Sequence, residues 1–424
     1  MELKKFFIGI IFLTGIIFTA HAEPVSEINN LPETPAENPV QLPTMTSENS
    51  GLNPGYSFTP IQNSRPVPVG DKLPNVTALS AIVVEASTGH IIYARDENKK
   101  MFPASTTKMM TLIMALESDK LNEIVTVGKN AFGAEGSTLW LEVGDKIPLE
   151  DLLYGLIMHS GNDAAIAIAE HIDGDTKIFA EHMTKRAREL GAYGTQFKNP
   201  NGLPDENHFT TAKDLATLAA HGFTLEKFED IVSAKEKNFA WVKGEEHLLR
   251  NENQMLWLYR GGNGIKTGYT DLAGRCLVSS AKRDGVQIIA VVLDSLYLWN
   301  DSIALLDYGF ENVGTKTIVR KNETIKKIPV VSGRKKYIDV KTANKIVVPE
   351  FKNDSDAYEV EYDIPKILTA PIKKGDTVGK ISVKCDGKEI AATDIFAVES
   401  VEQKSFFRWL ADTILNFFKT FDGG

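Results

Sequence analysis

Only two cysteines occur among 424 residues, Cys276 and Cys385, far apart and each in an apolar or strand-like context. Neither a disulfide framework nor a thiolate zinc site can be built from such a pair, and both read as core or strand cysteines. The eight histidines never fall at HxxxH spacing, which argues against a helix-borne zinc hydrolase, and no metal or organic cofactor is expected. Basic blocks are missing as well. Lys plus Arg is 47 against 56 Asp plus Glu, a balance of −9, so nucleic acid is not an expected partner. The apolar run from Phe6 to Thr19 is too short for the ~20 residues that cross a bilayer. A 43% hydrophobic and 24% charged composition is that of a globular chain. At roughly 150 residues per domain the length admits two or three domains.

Lys4 and Lys5 precede that apolar run and Ala20-His21-Ala22 follows it as a small-x-small cleavage site, so residues 1–22 read as a secretory signal peptide. Ten of the 18 prolines fall between Glu23 and Val76. Residues 23–77 therefore read as a disordered Pro-rich linker, which buries too little apolar surface to offset its ordering entropy. At the other end, Phe406, Leu410, Ile414, Phe417 and Phe421 recur at helical steps, while Arg408, Asp412, Asn416 and Lys419 take the opposite side. Residues 401–424 are thus expected to form an amphipathic helix lying in a membrane interface. The expected location is outside the cell's cytoplasm, on the outer face of the cytoplasmic membrane, in periplasm or cell-wall space.

Between these ends, Ala81–Ala86 and His90–Ala94 are β-branched runs split by Ser87-Thr88-Gly89, a hairpin signal. Met109, Leu112, Ile113 and Leu116 then make a helical stripe with Ser105 at its start. Further helices are expected at Leu149–Met158, Asp163–Ile172 and Ala212–Ala220. Three strands follow, Gly264–Thr270, Cys276–Ala281 and Gln287–Leu293. Strands enclosing helices indicate an α+β catalytic domain over 78–314, with an antiparallel sheet flanked by helices. From 315 to 400 short alternating runs separated by polar turns indicate a small all-β domain.

Ser105-Thr106-Thr107-Lys108 puts a hydroxyl and an amine three residues apart on one helical face. Alone the motif says little: about two SxxK matches arise by chance in a chain this long, and Ser279–Lys282 and Ser332–Lys335 also fit. Only Ser105 is followed by Ser160-Gly161-Asn162 ahead of a helix and by Lys266-Thr267-Gly268 on a glycine-flanked strand. An alcohol needs a base to attack an amide, and Lys108 is the nearest one. Burial and the second cation at Lys266 would lower its pKa.

SxxK, SxN and KTG in this order resemble the penicillin-binding proteins and serine β-lactamases. The surrounding wording, PASTTKMMT, GSTLWLEVGD, LLYGLIMHSGNDAA, NPNGL, TAKDLATLA, GIKTGYT and AGRCLVSSAKRDG, is similar to that of the low-molecular-weight penicillin-binding proteins. These are the serine-type D-alanyl-D-alanine carboxypeptidases of peptidase family S11. The resemblance runs from about Leu79 to the C-terminus. It implies a β-lactamase/transpeptidase-like catalytic domain that removes the terminal D-alanine from peptidoglycan stem pentapeptides through an acyl-enzyme at Ser105, with β-lactam antibiotics as acylating inhibitors. Lys108 would be the base, and Ser160 would pass a proton to the departing amine. Asn162 would hold the substrate, Lys266 and Thr267 its carboxylate, and Gly268 would allow close approach. The backbone N–H groups of Ser105 and Tyr269 would receive the oxyanion.

Two departures follow from the same resemblance. Relatives carry a carboxylate-binding arginine where this chain reads DSLYLWNDS, leaving Lys266 and Thr267 alone, or with Arg275 or Arg260. The deacylating glutamate of class A β-lactamases is missing: the position by count is Gln196, and Asp163, Glu170, Asp205 and Glu206 do not recreate it. A D,D-endopeptidase, a serine β-lactamase and a non-catalytic wall-binding scaffold are the alternatives.

Overall fold

The computed structural model describes residue 61 and residues 73–240, 246–352 and 358–404. The expected signal peptide, nearly all of the linker and the terminal helix beyond Lys404 lie outside the described residues; Val401–Lys404, expected to open that helix, instead run as a strand bridged to Ile372 and Gly333.

The first hairpin forms where the sequence changes from β-branched residues to Ser-Thr-Gly. β1 is Ser80–Glu85 and β2 is Ile91–Arg95. Gly89 takes φ 71° in the turn, a conformation open to a residue without a Cβ. Helix α1 spans Lys108–Leu116, and a short hairpin pairs β3 (Ile124–Thr126) with β4 (Lys146–Pro148). There follow α2 (Leu149–Met158), α3 (Asn162–Asp173), α4 (Thr176–Glu189), α5 (Ala212–Gly222) and α6 (Phe228–Ser233). A third hairpin of β5 (Glu236–Ala240) and β6 (Glu246–Arg250) and the one-turn helix α7 (Met255–Leu258) lead back toward the sheet. That sheet is completed by β7 (Gly262–Thr270), β8 (Gly274–Arg283) and β9 (Val286–Leu293), before α8 (Leu298–Asn312).

The five long strands form one antiparallel sheet in the order β2-β1-β9-β8-β7. β1 lies against β9 from Ser80↔Leu293 to Glu85↔Ile288, so the two ends of this domain close on each other. All eight residues of β9 are buried because helices cover both faces. On one face Ile82, Val84, Ile289 and Val291 lie against α5, in one cluster with its Leu215, Leu218 and Ala219. On the other, Val83, Ile288 and Val292 pack with Leu305 and Leu306 of α8. Each aliphatic side chain so buried contributes about 1.5–3 kcal/mol. Among the described residues β7 has a strand partner on one side only, and its other edge runs past the turn that carries Ser105.

β10 (Val313–Val319) begins directly after α8. The remaining strands are β11 (Thr324–Val331), β12 (Tyr337–Thr342), β13 (Ile346–Phe351), β14 (Tyr358–Asp363), β15 (Leu368–Thr369), β16 (Thr377–Cys385) and β17 (Lys388–Ala397). β10 pairs with β13, and the rest form a sheet in the order β14-β16-β17-β12-β11-β15. Ile328, Val340, Ile381, Val383 and Ile395 fill the core between them. Cys276 in β8 and Cys385 in β16 are both buried and form no disulfide. No helix among the described residues is long and apolar enough to cross a membrane.

Candidate active site

The local fold around Ser105 differs slightly from the expected helix start. Ala104–Thr107 forms one 3₁₀ turn and α1 begins only at Lys108, so Ser105 stands ahead of the α-helix. The three-residue spacing serves as well, because residues i and i+3 eclipse in a 3₁₀ turn: Lys108 Nζ lies 3.0 Å from Ser105 Oγ. Ala104 takes φ 47°, a strained value for a residue with a Cβ. Two glycine backbones close around the turn. A Cβ on Gly202 would fall 1.9 Å from the Ala104 carbonyl oxygen, and one on Gly268 would fall 2.9 Å from the Ser105 nitrogen. Thr106 Oγ1 donates to the Pro103 carbonyl (2.6 Å). Thr107 Oγ1 is 2.9 Å from His208 Nε2. Burial holds the His208 pKa down at about 4. The ring is therefore neutral, with Nδ1 accepting from the Lys198 N–H and Nε2 donating to Thr107.

Lys108 is fully buried, and its Nζ meets three acceptors from three parts of the chain: Ser105 Oγ, Asn162 Oδ1 at 2.6 Å and the Asn201 carbonyl at 2.7 Å. A neutral amine has two N–H donors and one lone pair. If Asn162 and Asn201 take the two hydrogens, the lone pair is left facing the Ser105 hydroxyl. The Asn201 carbonyl is held by its own loop: Asn199 Oδ1 accepts from the Gly202 N–H (2.7 Å) and Asn201 Oδ1 from the Leu203 N–H (3.1 Å).

Asn162 opens α3. Its backbone N–H donates to the Ser137 carbonyl (2.7 Å) and its Nδ2 to the Glu135 carbonyl. The next residue, Asp163, accepts from the backbone N–H groups of Leu139 (2.9 Å), Leu141 (3.1 Å) and Ala164 (2.8 Å). These bonds dock the 135–141 loop onto the SxN segment. Ser160, buried and at φ 61°, precedes them; its hydroxyl forms no hydrogen bond among the described residues.

Lys266 is 1% exposed on β7, with Nζ 3.5 Å from Thr267 Oγ1. Gly268 follows against the Ser105 nitrogen, and Tyr269 is exposed, its hydroxyl donating to Asp271 (3.0 Å). Burial first, then the Lys266 charge, lower the Lys108 pKa well below the usual lysine value, against Glu252 and Asp163. Burial brings Lys266 down to about 8, again opposed by Glu252. At neutral pH this pair can therefore divide into an amine at Lys108 and an ammonium at Lys266. Such an arrangement can activate a hydroxyl and hold an anion in one cleft.

Ser105, Lys108, Asn162, Lys266, Thr267 and Gly268 thus come together, with Ser160 and Tyr269 adjoining them along the chain. The other SxxK serines stand elsewhere. Ser279 is buried in β8, donating to the Ala290 carbonyl, and Ser332 lies in the β11–β12 turn. Of the two arginines considered for a substrate carboxylate, Arg275 stands opposite Tyr269 on β8. Arg260 lies in the turn before β7, whose first residue, Gly262, is already about 17 Å along the strand from Thr267, beyond side-chain reach. Neither Asp163, saturated by three N–H groups, nor Glu170, bound to Asn130 Nδ2, stands free as a deacylating base. Four contributors escaped the sequence reading: the Asn201 carbonyl, Asp163 as loop anchor, His208 and Glu252. The NPNGL wording was the one available signal for the first. Among the described residues no group of three or more His, Cys, Asp or Glu side chains is placed to hold a metal.

The chain matches known proteins over most of its length. Residues 68–296 match the D-alanyl-D-alanine carboxypeptidase family, peptidase S11, and residues 314–403 match the C-terminal domain of penicillin-binding protein 5. The chain is 32% identical to the D-alanyl-D-alanine carboxypeptidase DacF of Bacillus subtilis over 346 residues, 80% of this chain and 89% of that protein. It is 33% identical to DacC of Escherichia coli over 361 residues, 81% and 88% of the two chains. Among solved structures, penicillin-binding protein 5 of Haemophilus influenzae matches at 30% identity with a TM-score of 0.56, covering 79% of this chain and all of that one. With the SxxK, SxN and KTG residues gathered in one cleft and both domains matched, the chain belongs to the D-alanyl-D-alanine carboxypeptidases of peptidase family S11.

Proposed function

We propose that this chain is a serine D-alanyl-D-alanine carboxypeptidase acting on peptidoglycan stem pentapeptides, with Ser105 as nucleophile and Lys108 as its base. The observation that carries the reading is the buried Lys108 amine, 3.0 Å from Ser105 Oγ with its other two directions occupied by carbonyl oxygens. The peptide lies along the open edge of β7, as an added strand would. Its terminal carboxylate meets the Lys266 ammonium and the Thr267 hydroxyl. Ser105 Oγ attacks the penultimate D-alanine carbonyl while its proton moves to Lys108 Nζ. Charge on the carbonyl oxygen is received by the N–H groups of Ser105 and Tyr269, a contribution of about 3 kcal/mol per donor in comparable sites. The proton passes through Ser160 to the leaving nitrogen, free D-alanine departs, and water then hydrolyses the ester with Lys108 again taking a proton.

A β-lactam enters the same path, but its ring-opened leaving group stays attached to the acyl-enzyme. With Asp163 and Glu170 engaged elsewhere, hydrolysis of that ester is slow, so penicillin inhibits. The signal-like N-terminus and the amphipathic segment at 401–424 support export and association with the outer face of the cytoplasmic membrane. Incubation with a fluorescent penicillin followed by intact-mass measurement tests the nucleophile. Wild-type protein gains one adduct and Ser105→Ala none; equal labelling of both would overturn the assignment. Release of D-alanine from a pentapeptide but not from a crosslinked dimer separates a carboxypeptidase from an endopeptidase.

A further inference from the structure

Charge is unevenly divided along this chain. Residues 315–404 carry a net charge of +4, although the whole chain carries −9. Much of the excess is gathered where the chain leaves the β domain toward its aromatic last twenty residues. There the strand-like run 399–404 is held between two loops. Gly333 bridges Gln403 and Ile372 bridges Val401. The Arg334 N–H donates to the Glu402 carbonyl, the Lys404 N–H to the Ser332 carbonyl and the Lys374 N–H to Ser400 Oγ. These bonds place Arg334, Lys335, Lys336, Lys373, Lys374 and Lys404 around one exit. All but Lys404, which is half-buried, are exposed. Arg334 pairs with Glu402 and Lys335 with Glu399, whereas Lys336, Lys373 and Lys374 form no ion pair among the described residues. Val331 and Tyr337, 45% and 58% exposed, flank the same loop. Cations interleaved with an exposed valine and tyrosine suit a boundary between lipid headgroups and acyl chains.

We propose that this exit face of the β domain rests on the anionic headgroups of a phospholipid bilayer, a contact of folded residues distinct from insertion of the segment that follows Lys404. It rests on the membrane association proposed above and adds a second, salt-sensitive component that would orient the enzyme on the bilayer. Anionic headgroups fit better than zwitterionic ones because three of the lysine ammonium groups enter no ion pair among the described residues, although the Asp376 carboxylate accepts the Lys373 backbone N–H (2.7 Å). Near a negatively charged surface each such lysine is worth about a fivefold gain in affinity.

The test is co-sedimentation of the full chain with vesicles of phosphatidylcholine, with and without about a third phosphatidylglycerol as the anionic lipid. Lys336→Gln/Lys373→Gln/Lys374→Gln should weaken binding to anionic vesicles roughly a hundredfold and leave binding to zwitterionic vesicles and D-alanine release unchanged. A matched triple elsewhere in the same domain, Lys316→Gln/Lys326→Gln/Lys345→Gln, should lose far less. Wild-type affinity in the first triple, or equal losses in both, would overturn the proposal, as would tighter binding to soluble polyphosphate than to the vesicles. A chain ending at Lys404 tests the other reading separately: if it binds zwitterionic vesicles as well as the full chain does, the amphipathic segment fails while the lysine comparison still stands.

Discussion

Replacing Lys266 by arginine separates the charge of this residue from its proton. Burial draws the Lys266 pKa down to about 8, and the proposed role needs the ammonium. With that value roughly nine-tenths of the enzyme carries the charge at pH 7 and roughly one-tenth at pH 9, so kcat/KM should fall about tenfold across those two units. The sign follows from a lowered lysine pKa: the cation is present below 8 and lost above it. Glu252 opposes the shift, so Glu252→Gln should move this limb to lower pH. A guanidinium keeps its proton throughout the range. Lys266→Arg should therefore lose the alkaline limb near pH 8, even if the larger head lowers the plateau. The assay is the second-order rate of acylation by a chromogenic β-lactam from pH 5 to 10. A fall in the arginine variant with the wild-type midpoint would refute the reasoning, since the limb would then belong to another group.

Asn162→Asp puts a carboxylate where Oδ1 now lies 2.6 Å from Lys108 Nζ; it should raise the Lys108 pKa by about 1–3 units and move the acid limb of the same profile upward. Lys266→Met should abolish carboxypeptidase turnover yet raise stability by up to about 3 kcal/mol at pH 7, from the drop between 10.5 and about 8. That strain is present below pH 8 and fades toward 10.5, so chemical denaturation at pH 7 and pH 10 should show the gain shrinking. Gly268→Ala forces a Cβ to within 2.9 Å of the Ser105 nitrogen, a backbone atom that cannot swing aside, and should slow acylation on the order of a hundredfold and lower the melting temperature. Burial alone would raise the pKa of Glu117, but hydrogen bonds from His221 and Arg186 bring it from 4.5 to about 2. Its stabilisation should hold above pH 4.5 and be lost as pH falls through 2, about 3 kcal/mol in all, with Glu117→Gln flattening that acid limb in urea titrations.

The sheet and the first helices were legible because their residues repeat with clear periods. Leu149–Met158 was expected with the bounds it has, and β8 and β9 differ only at their ends. α4 was not foreseen: its buried stripe is limited to Phe179, Ala180, Met183 and Ala187 among charged residues. The β5–β6 hairpin escaped because its alternation is short and its turn lacks a glycine pair. The site motifs were readable as text. The sequence could not display what orients them, because a backbone carbonyl such as that of Asn201 carries no side-chain signature. Asp163 was weighed as a chemical group, whereas it anchors the 135–141 loop, a contact that only tertiary structure reveals.

The open edge of β7 has a consequence for the company this protein keeps. An unpaired strand edge invites a neighbouring copy to add its own strand. In the binding mode proposed above a newcomer would lie across Lys266, and a polypeptide segment passing through mid-chain would bring no countercharge. A short chain that ends there does, through its free carboxylate. The same buried cation can therefore turn away self-association while admitting the one kind of strand that terminates at the right place.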